Sequence, residues 1–187
     1  MKRFTPELLF KFGSEDDQVA NSASAEWDKT HQAYVEHLDS IQQKLPKSVQ
    51  MLLNDYCLHD AKVVSMGRDE RLFSILLQLA EPGDKGVLGI LLTYKLVSQP
   101  RFKRHASLAD EGVPLEWLYD ELDLLDDGDD PWKEETFQIF THSILFTAGR
   151  ELQLDFYELE LQEYQKLFSS GKKSQESEEA EFESLVS

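Results

Sequence analysis

The chain has 187 residues, 41% of them apolar, with eleven Phe, six Tyr and three Trp. That suffices for one domain with its own core and is too aromatic for a wholly disordered chain. With 36 Asp and Glu against 19 Lys and Arg, the net charge is −17. Nucleic acid and anionic membranes are therefore disfavoured, because both recruit Lys and Arg to phosphate, and a basic protein is the partner that charge favours. The single cysteine, Cys57, rules out an intrachain disulfide and any multi-cysteine metal site. The start of the chain is basic but interrupted by Glu7 and Lys11. No stretch approaches the roughly 20 apolar residues of a membrane helix, so a cytoplasmic setting is expected.

Thr5-Pro6-Glu7 predicts a helix start: a capping hydroxyl, a proline at the first helical position and an acid at the positive end of the dipole. The helix should run to Phe12, bury Leu8, Leu9 and Phe12, and stop at Gly13. Residues 14–24 are polar and aperiodic and predict a loop. From Ala25 to Leu45, the residues Trp27, His31, Tyr34, Leu38, Ile41 and Leu45 recur every three or four positions, one stripe of an amphipathic helix. Pro46 ends it and opens a short helix carrying Val49, Leu52, Leu53 and Tyr56.

After Cys57 the period becomes two. Residues 60–66 predict a strand, Gly67 to Glu70 a turn, and Phe73, Ile75, Leu77 and Leu79 a half-buried strand. Glu81 to Gly86 is a turn signal, and Val87 to Val97 is apolar on both faces, as in a central strand. Residues 98–114, with two prolines and the basic Arg101, Lys103 and Arg104, read as a long connection. Leu115 to Leu125 fits a strand or a short helix, and Asp126 to Pro131 a loop.

The last unit is a hairpin whose register can be derived. Phe140, Ile144 and Phe146 share one face of its first strand, and Leu152, Leu154 and Phe156 one face of its second. A three-residue loop, Thr147-Ala148-Gly149 with Gly149 left-handed, brings both sets to one side. Phe146 then faces Arg150, Ile144 faces Leu152, and His142 points into the apolar face opposite Leu154.

These elements predict an α+β domain over residues 1–168, helical over 1–57 and β-rich over 58–161. N-terminal helices would pack on one face of a five- or six-stranded, mainly antiparallel sheet. Residues 169–187 read as an acidic low-complexity tail, expected to be disordered.

A buried His142 must find a hydrogen-bond partner, a backbone carbonyl or a carboxylate, unless it serves as a ligand or a general base. His59 and Asp60, at a helix-to-strand junction, are a second candidate for acid/base or metal chemistry. As strand neighbours they would point to opposite faces. A catalytic reading would join His142 and His59 to Asp60, Asp120 or Glu151. Asp110 to Asp130 carries ten carboxylates and no Lys or Arg, so Asp123, Asp126, Asp127, Asp129 and Asp130 are the candidate face for a basic partner. Their spacing does not match a calcium-binding loop. There is no phosphate loop, nucleophile elbow, zinc-protease motif or dinucleotide fingerprint, so the chain reads as a binding protein, and no cofactor or metal is expected.

Several short motifs carry a resemblance: Met1-Lys2-x-Phe4-Thr5-x-Glu7, Leu58-His59-Asp60-Ala61, Tyr119-Asp120-Glu121, and His142-x-Ile144-Leu145 followed by Gly149-x-Glu151-Leu152. Together they resemble a small bacterial family catalogued as a domain of unknown function, over most of residues 1–161. That resemblance implies no reaction and no ligand. The Leu-His-Asp entry and the closing Gly-x-Glu-Leu-x-Leu-x-Phe strand are also similar to elements of bacterial immunity proteins, acidic α+β proteins that block a toxin by covering it.

Overall fold

The computed structural model describes residues 1–81, 86–104, 114–126 and 138–165. Helix α1 (Pro6–Phe12) is capped by the Thr5 hydroxyl, which accepts from Leu8 N at 3.3 Å, and ends at Gly13. Leu8 is buried and Leu9 half-buried, but Phe12 is half exposed, lying against Trp27 with ring centroids 6.1 Å apart.

The expected loop over residues 14–24 is instead the start of α2 (Asp17–Ile41). Asp16 is its cap, accepting from Gln18 N at 2.9 Å and from Val19 N at 3.4 Å. The polar stretch also contains Ala20 and Ala23, and Ala23 is buried in a helix that packs against α1. A small side chain at a close helix contact carries no hydrophobic period to read. A 3₁₀ turn (Gln42–Lys44) leads through Pro46 to α3 (Lys47–Asp55), which buries Val49 and Leu52.

Seven antiparallel strands follow: β1 (Ala61–Asp69), β2 (Leu72–Gln78), β3 (Gly89–Leu96), β4 (Arg101–Arg104), β5 (Glu116–Asp126), β6 (Ile139–Phe146) and β7 (Arg150–Tyr164). The α+β class is as expected, with more strands than the five or six predicted. β1 runs through the expected Gly67–Glu70 turn to Asp69, which pairs with Leu72. The turn is Glu70-Arg71, with Glu70 left-handed at φ 51°. The ambiguous segment after Leu115 is strand β5. Residues 82–85, 105–113, 127–137 and 166–187 lie outside the described residues, which includes most of the expected turn at Glu81–Gly86 and the whole expected tail.

β4 was missed because Pro100 and three cations mask a strand that continues β3 along β7. Leu96 pairs with Phe156, and Arg101 to Arg104 pair with Gln153 to Arg150. β7 is 15 residues long. Its first half pairs with β6 and β4, and its second half with β3. The ladder therefore closes into a ring, β1-β2-β3-β7-β6-β5, and Ile41, Leu45, Val49 and Leu52 of the helical segment share one core with its strands.

Inside the ring lie Phe73, Ile75, Leu77, Ile90, Leu92, Tyr94, Trp117, Leu122, Phe140, Ile144, Leu154 and Phe156, all at most 3% exposed. Burying each such side chain stabilises by about 1.5–3 kcal/mol. The closing hairpin has the derived register throughout: Phe146 opposite Arg150, Ile144 opposite Leu152, His142 opposite Leu154 and Gly149 at φ 60°. Among the described residues no helix is long and apolar enough to cross a membrane.

Candidate functional site

The ring is weakest between β1 and β5. Only Ala61–Trp117 and Lys62–Glu116 pair there, with Asp60 N on Trp117 O and Val63 N on Leu115 O at 2.8 Å each. A bulge after Trp117 turns β5 away, and α2 and α3 stand over the gap. The N–H of Leu122 on the freed edge donates to the Tyr34 hydroxyl at 2.7 Å. Burial and the charge of Asp120 push the Tyr34 phenol well above its ordinary pKa, so it stays protonated.

Between these elements is a partly open cleft of about 320 Å³. α2 contributes Trp27, His31 and Tyr34; α3 and its exit contribute Leu52, Leu53, Tyr56, Cys57, Leu58 and His59; β5 contributes Leu118, Tyr119 and Asp120; Phe4 closes one side. Trp27 and Tyr119 meet edge-on with centroids 4.4 Å apart, Phe4 lies 4.9 Å from Trp27, and His59 lies 5.2 Å from Tyr119. The tyrosine of α3's exit, Tyr56, is tied across to Glu163 of β7.

Asp120 joins this cleft to the ring interior. Its Oδ1 accepts from Trp117 Nε1 at 3.0 Å, and its Oδ2 lies 3.0 Å from His142 Nε2. The other imidazole nitrogen, Nδ1, is 2.9 Å from the Tyr94 hydroxyl. Burial, then the charge of Asp120, holds the Tyr94 phenol well above its ordinary pKa, so Tyr94 is a donor. The groups are mutually satisfied when Tyr94 O–H donates to Nδ1 and Nε2–H donates to the Asp120 carboxylate. His142 is 1% exposed and both ring nitrogens are used. Its partner is a carboxylate, one of the two kinds that burial demanded.

Three other sheet carboxylates hold the N-terminal segment. Glu121 accepts from the backbone N–H of Lys2, Arg3 and Phe4 at 2.9, 2.6 and 2.6 Å. Glu151 binds the Met1 amino group at 2.8 Å. Asp123 takes Lys2 Nζ at 3.0 Å and Arg3 Nη1 at 3.1 Å. Burial works to raise the Asp123 pKa, but the Lys2 and Arg3 hydrogen bonds outweigh it and hold the carboxyl below its ordinary range. His37 Nε2 is 3.0 Å from Asp123 Oδ1 but off the line that a hydrogen bond needs. This network sets Phe4 into the cleft wall. On β7, Asp155 is paired with Arg101 at 2.7 Å.

The five residues of the catalytic reading are thus dispersed. Asp120 touches both the cleft and His142; His59 lines the cleft; His142 is sealed behind Asp120; Glu151 serves the N-terminus. His59 and Asp60 sit in a turn before β1, not on a strand, and Asp60 is left-handed at φ 64°. The two side chains therefore meet, with Nδ1 3.0 Å from Oδ2, instead of pointing apart. Among the described residues no three His, Cys, Asp or Glu come together as metal ligands. Of the acidic face, Asp123 is buried and paired within the chain, Asp126 ends β5, and Asp127, Asp129 and Asp130 lie outside the described residues. Sequence reasoning missed the cleft. The signal for it was the stripe of α2, whose members Trp27, His31 and Tyr34 border a cavity as well as a core.

A family model described as "Protein of unknown function (DUF4085)" matches residues 11–130. That is well over half the chain, and it includes every cleft-lining residue but Phe4. No curated protein matches.

Proposed function

The chain belongs to the DUF4085 family of proteins of unknown function, and from its geometry we propose that it is a non-enzymatic binding protein taking a small ligand in the cleft between α2, α3 and β5. The carrying observation is a cleft of about 320 Å³ walled by Phe4, Trp27, Tyr34, Tyr56 and Tyr119, with Asp120 and two histidines as its polar groups. Walls made mainly of aliphatic and aromatic side chains, with a few placed polar groups, are what a ligand site of this size needs. An acid/base enzyme would need an imidazole with a free nitrogen facing substrate; His142 has neither. His59 is 45% exposed, and its Nδ1 is paired with an Asp60 side chain that is itself 58% exposed.

Cys57, the chain's one cysteine, is exposed and lines the cleft, which supplies the test. Small aromatic fragments should bind in ligand-observed NMR and be displaced when Cys57 is alkylated with a bulky maleimide. Fragment binding unaffected by that label would rule the cleft out.

A second reading follows from composition: a basic protein held by the acidic run from Asp110 to Asp130, as in immunity-type inhibition. The absence of any Lys or Arg in that run favours it. With Asp123 neutralised by Lys2 and Arg3, the contact would fall to Asp126, Asp127, Asp129 and Asp130. Replacing those four by Asn should slow association and flatten its salt dependence; an unchanged association rate would count against it.

A further inference from the structure

We infer that the ligand of the cleft is a cation, a small aromatic or alkyl ammonium whose nitrogen docks on Asp120; the inference rests on the cleft being the binding site. Among the described residues, the four buried carboxylates of the sheet, Glu121, Asp123, Glu151 and Asp155, are each neutralised by a cation of the chain. Glu121 has Arg3 at 3.8 Å, Asp123 has Lys2 and Arg3, Glu151 has the Met1 amino group and Asp155 has Arg101. Asp120, partly buried beside them, differs from those four. Its hydrogen-bond donors are the Trp117 indole and the His142 imidazole, and among the described residues no Lys, Arg or amino terminus reaches it.

Its side chain is 21% exposed, and that exposure is into the cleft. A carboxylate accepts about four hydrogen bonds, so with two taken Asp120 keeps acceptor capacity toward the cavity. Trp117 and His142 fix its orientation, so little freedom is lost when a donor arrives. Aromatic residues wall the cleft nearby: Tyr119 and Trp27 are in contact with each other, and Tyr34 already carries the Arg3 guanidinium 5.3 Å from its ring centroid. Aromatic faces attract cations, more so where water is thin. A net charge of −17 raises the local concentration of cations and repels anions. Carboxylate, aromatic walls and a volume suited to a small molecule thus select an ammonium over a neutral or acidic ligand of the same shape.

The test uses three probes of one shape and different charge: tyramine, 4-ethylphenol and 4-hydroxyphenylacetate. Their affinities for the whole protein are compared by NMR titration. Tyramine should bind roughly tenfold or more tighter than 4-ethylphenol, in keeping with a partly desolvated charge pair beside aromatic rings. The Asp120→Asn protein should bind both alike. Equal affinities in the unmodified protein would overturn the inference without recourse to any variant, so a misfolded Asp120→Asn would not rescue it. So would a tyramine preference that survives Asp120→Asn. If the probes bind without charge preference and maleimide on Cys57 displaces them, the cleft stands as the site and only its cationic ligand falls. Binding indifferent to the label removes both.

Discussion

His142 Nε2 and Asp120 Oδ2 lie 3.0 Å apart, and through this pair the interior of the strand ring is coupled to the wall of the cleft. On the far side of the imidazole is Tyr94, so a tyrosine, a histidine and an aspartate from three strands form one hydrogen-bonded chain that runs from the interior to the cleft. Such a chain is costly to interrupt, because each member leaves the next one unsatisfied.

His142→Ala should therefore destabilise the protein by about 2–4 kcal/mol, from a cavity and two orphaned partners together. Tyr94→Phe, which removes only the hydroxyl, should cost about 1–2 kcal/mol. Urea melts of the two single variants and the double variant should give a coupling of about 0.5–3 kcal/mol. Strict additivity would mean that the Tyr94–His142 bond contributes nothing.

Tyr34→Phe should cost about 1–3 kcal/mol although the ring still fits, since the Leu122 N–H on the free edge of β5 loses its acceptor. Amide exchange at Leu122 is the direct readout and should quicken more than exchange at its strand neighbours.

Glu121→Ala should release the N-terminal segment. Three backbone donors, at Lys2, Arg3 and Phe4, share that one carboxylate, and charge-assisted bonds of this kind contribute about 1.5–3 kcal/mol. Exchange protection at residues 2–4 should vanish. Phe4 should also leave its place 4.9 Å from Trp27, which tryptophan fluorescence would register.

Acid should weaken the fold through Asp123 and Asp155, both held below the ordinary value of 3.8. At each, burial raises the pKa and the hydrogen bonds outweigh it, from Lys2 and Arg3 at Asp123 and from Arg101, Thr141 and Ser98 at Asp155. A carboxyl whose folded pKa is depressed stabilises above its unfolded pKa and loses that contribution as pH falls through the folded one. Denaturant melts should thus lose stability below about pH 4, and Asp123→Asn with Asp155→Asn should flatten that loss while lowering stability at neutral pH.

Gly149→Ala should cost about 1–2 kcal/mol, because the residue is left-handed at φ 60° and a side chain strains there. The loss should appear in thermal melts without a change in hairpin register, which the apolar faces of β6 and β7 maintain.

The hairpin of β6 and β7 was legible in the sequence down to its pairings. Side chains alternate with a period of two, so only one loop length places Phe140, Ile144 and Phe146 with Leu152, Leu154 and Phe156. His142 was legible as buried for the same reason, as was the need for a partner. The helices were legible where apolar residues recur along one face, and illegible at residues 17–24, where alanine and a capping aspartate replace that pattern. What only the tertiary structure decided is which strands meet across long stretches of chain. Closure of β3 onto β7 depends on distant pairings that leave no local period, and so does the gap between β1 and β5. Asp120 and His142 are 22 positions apart on neighbouring strands, and a bulge after Trp117 sets the face that Asp120 presents. A bulge is one unpaired residue with no marker in composition, yet here it turns an acidic residue in a charged stretch into the floor of a cleft.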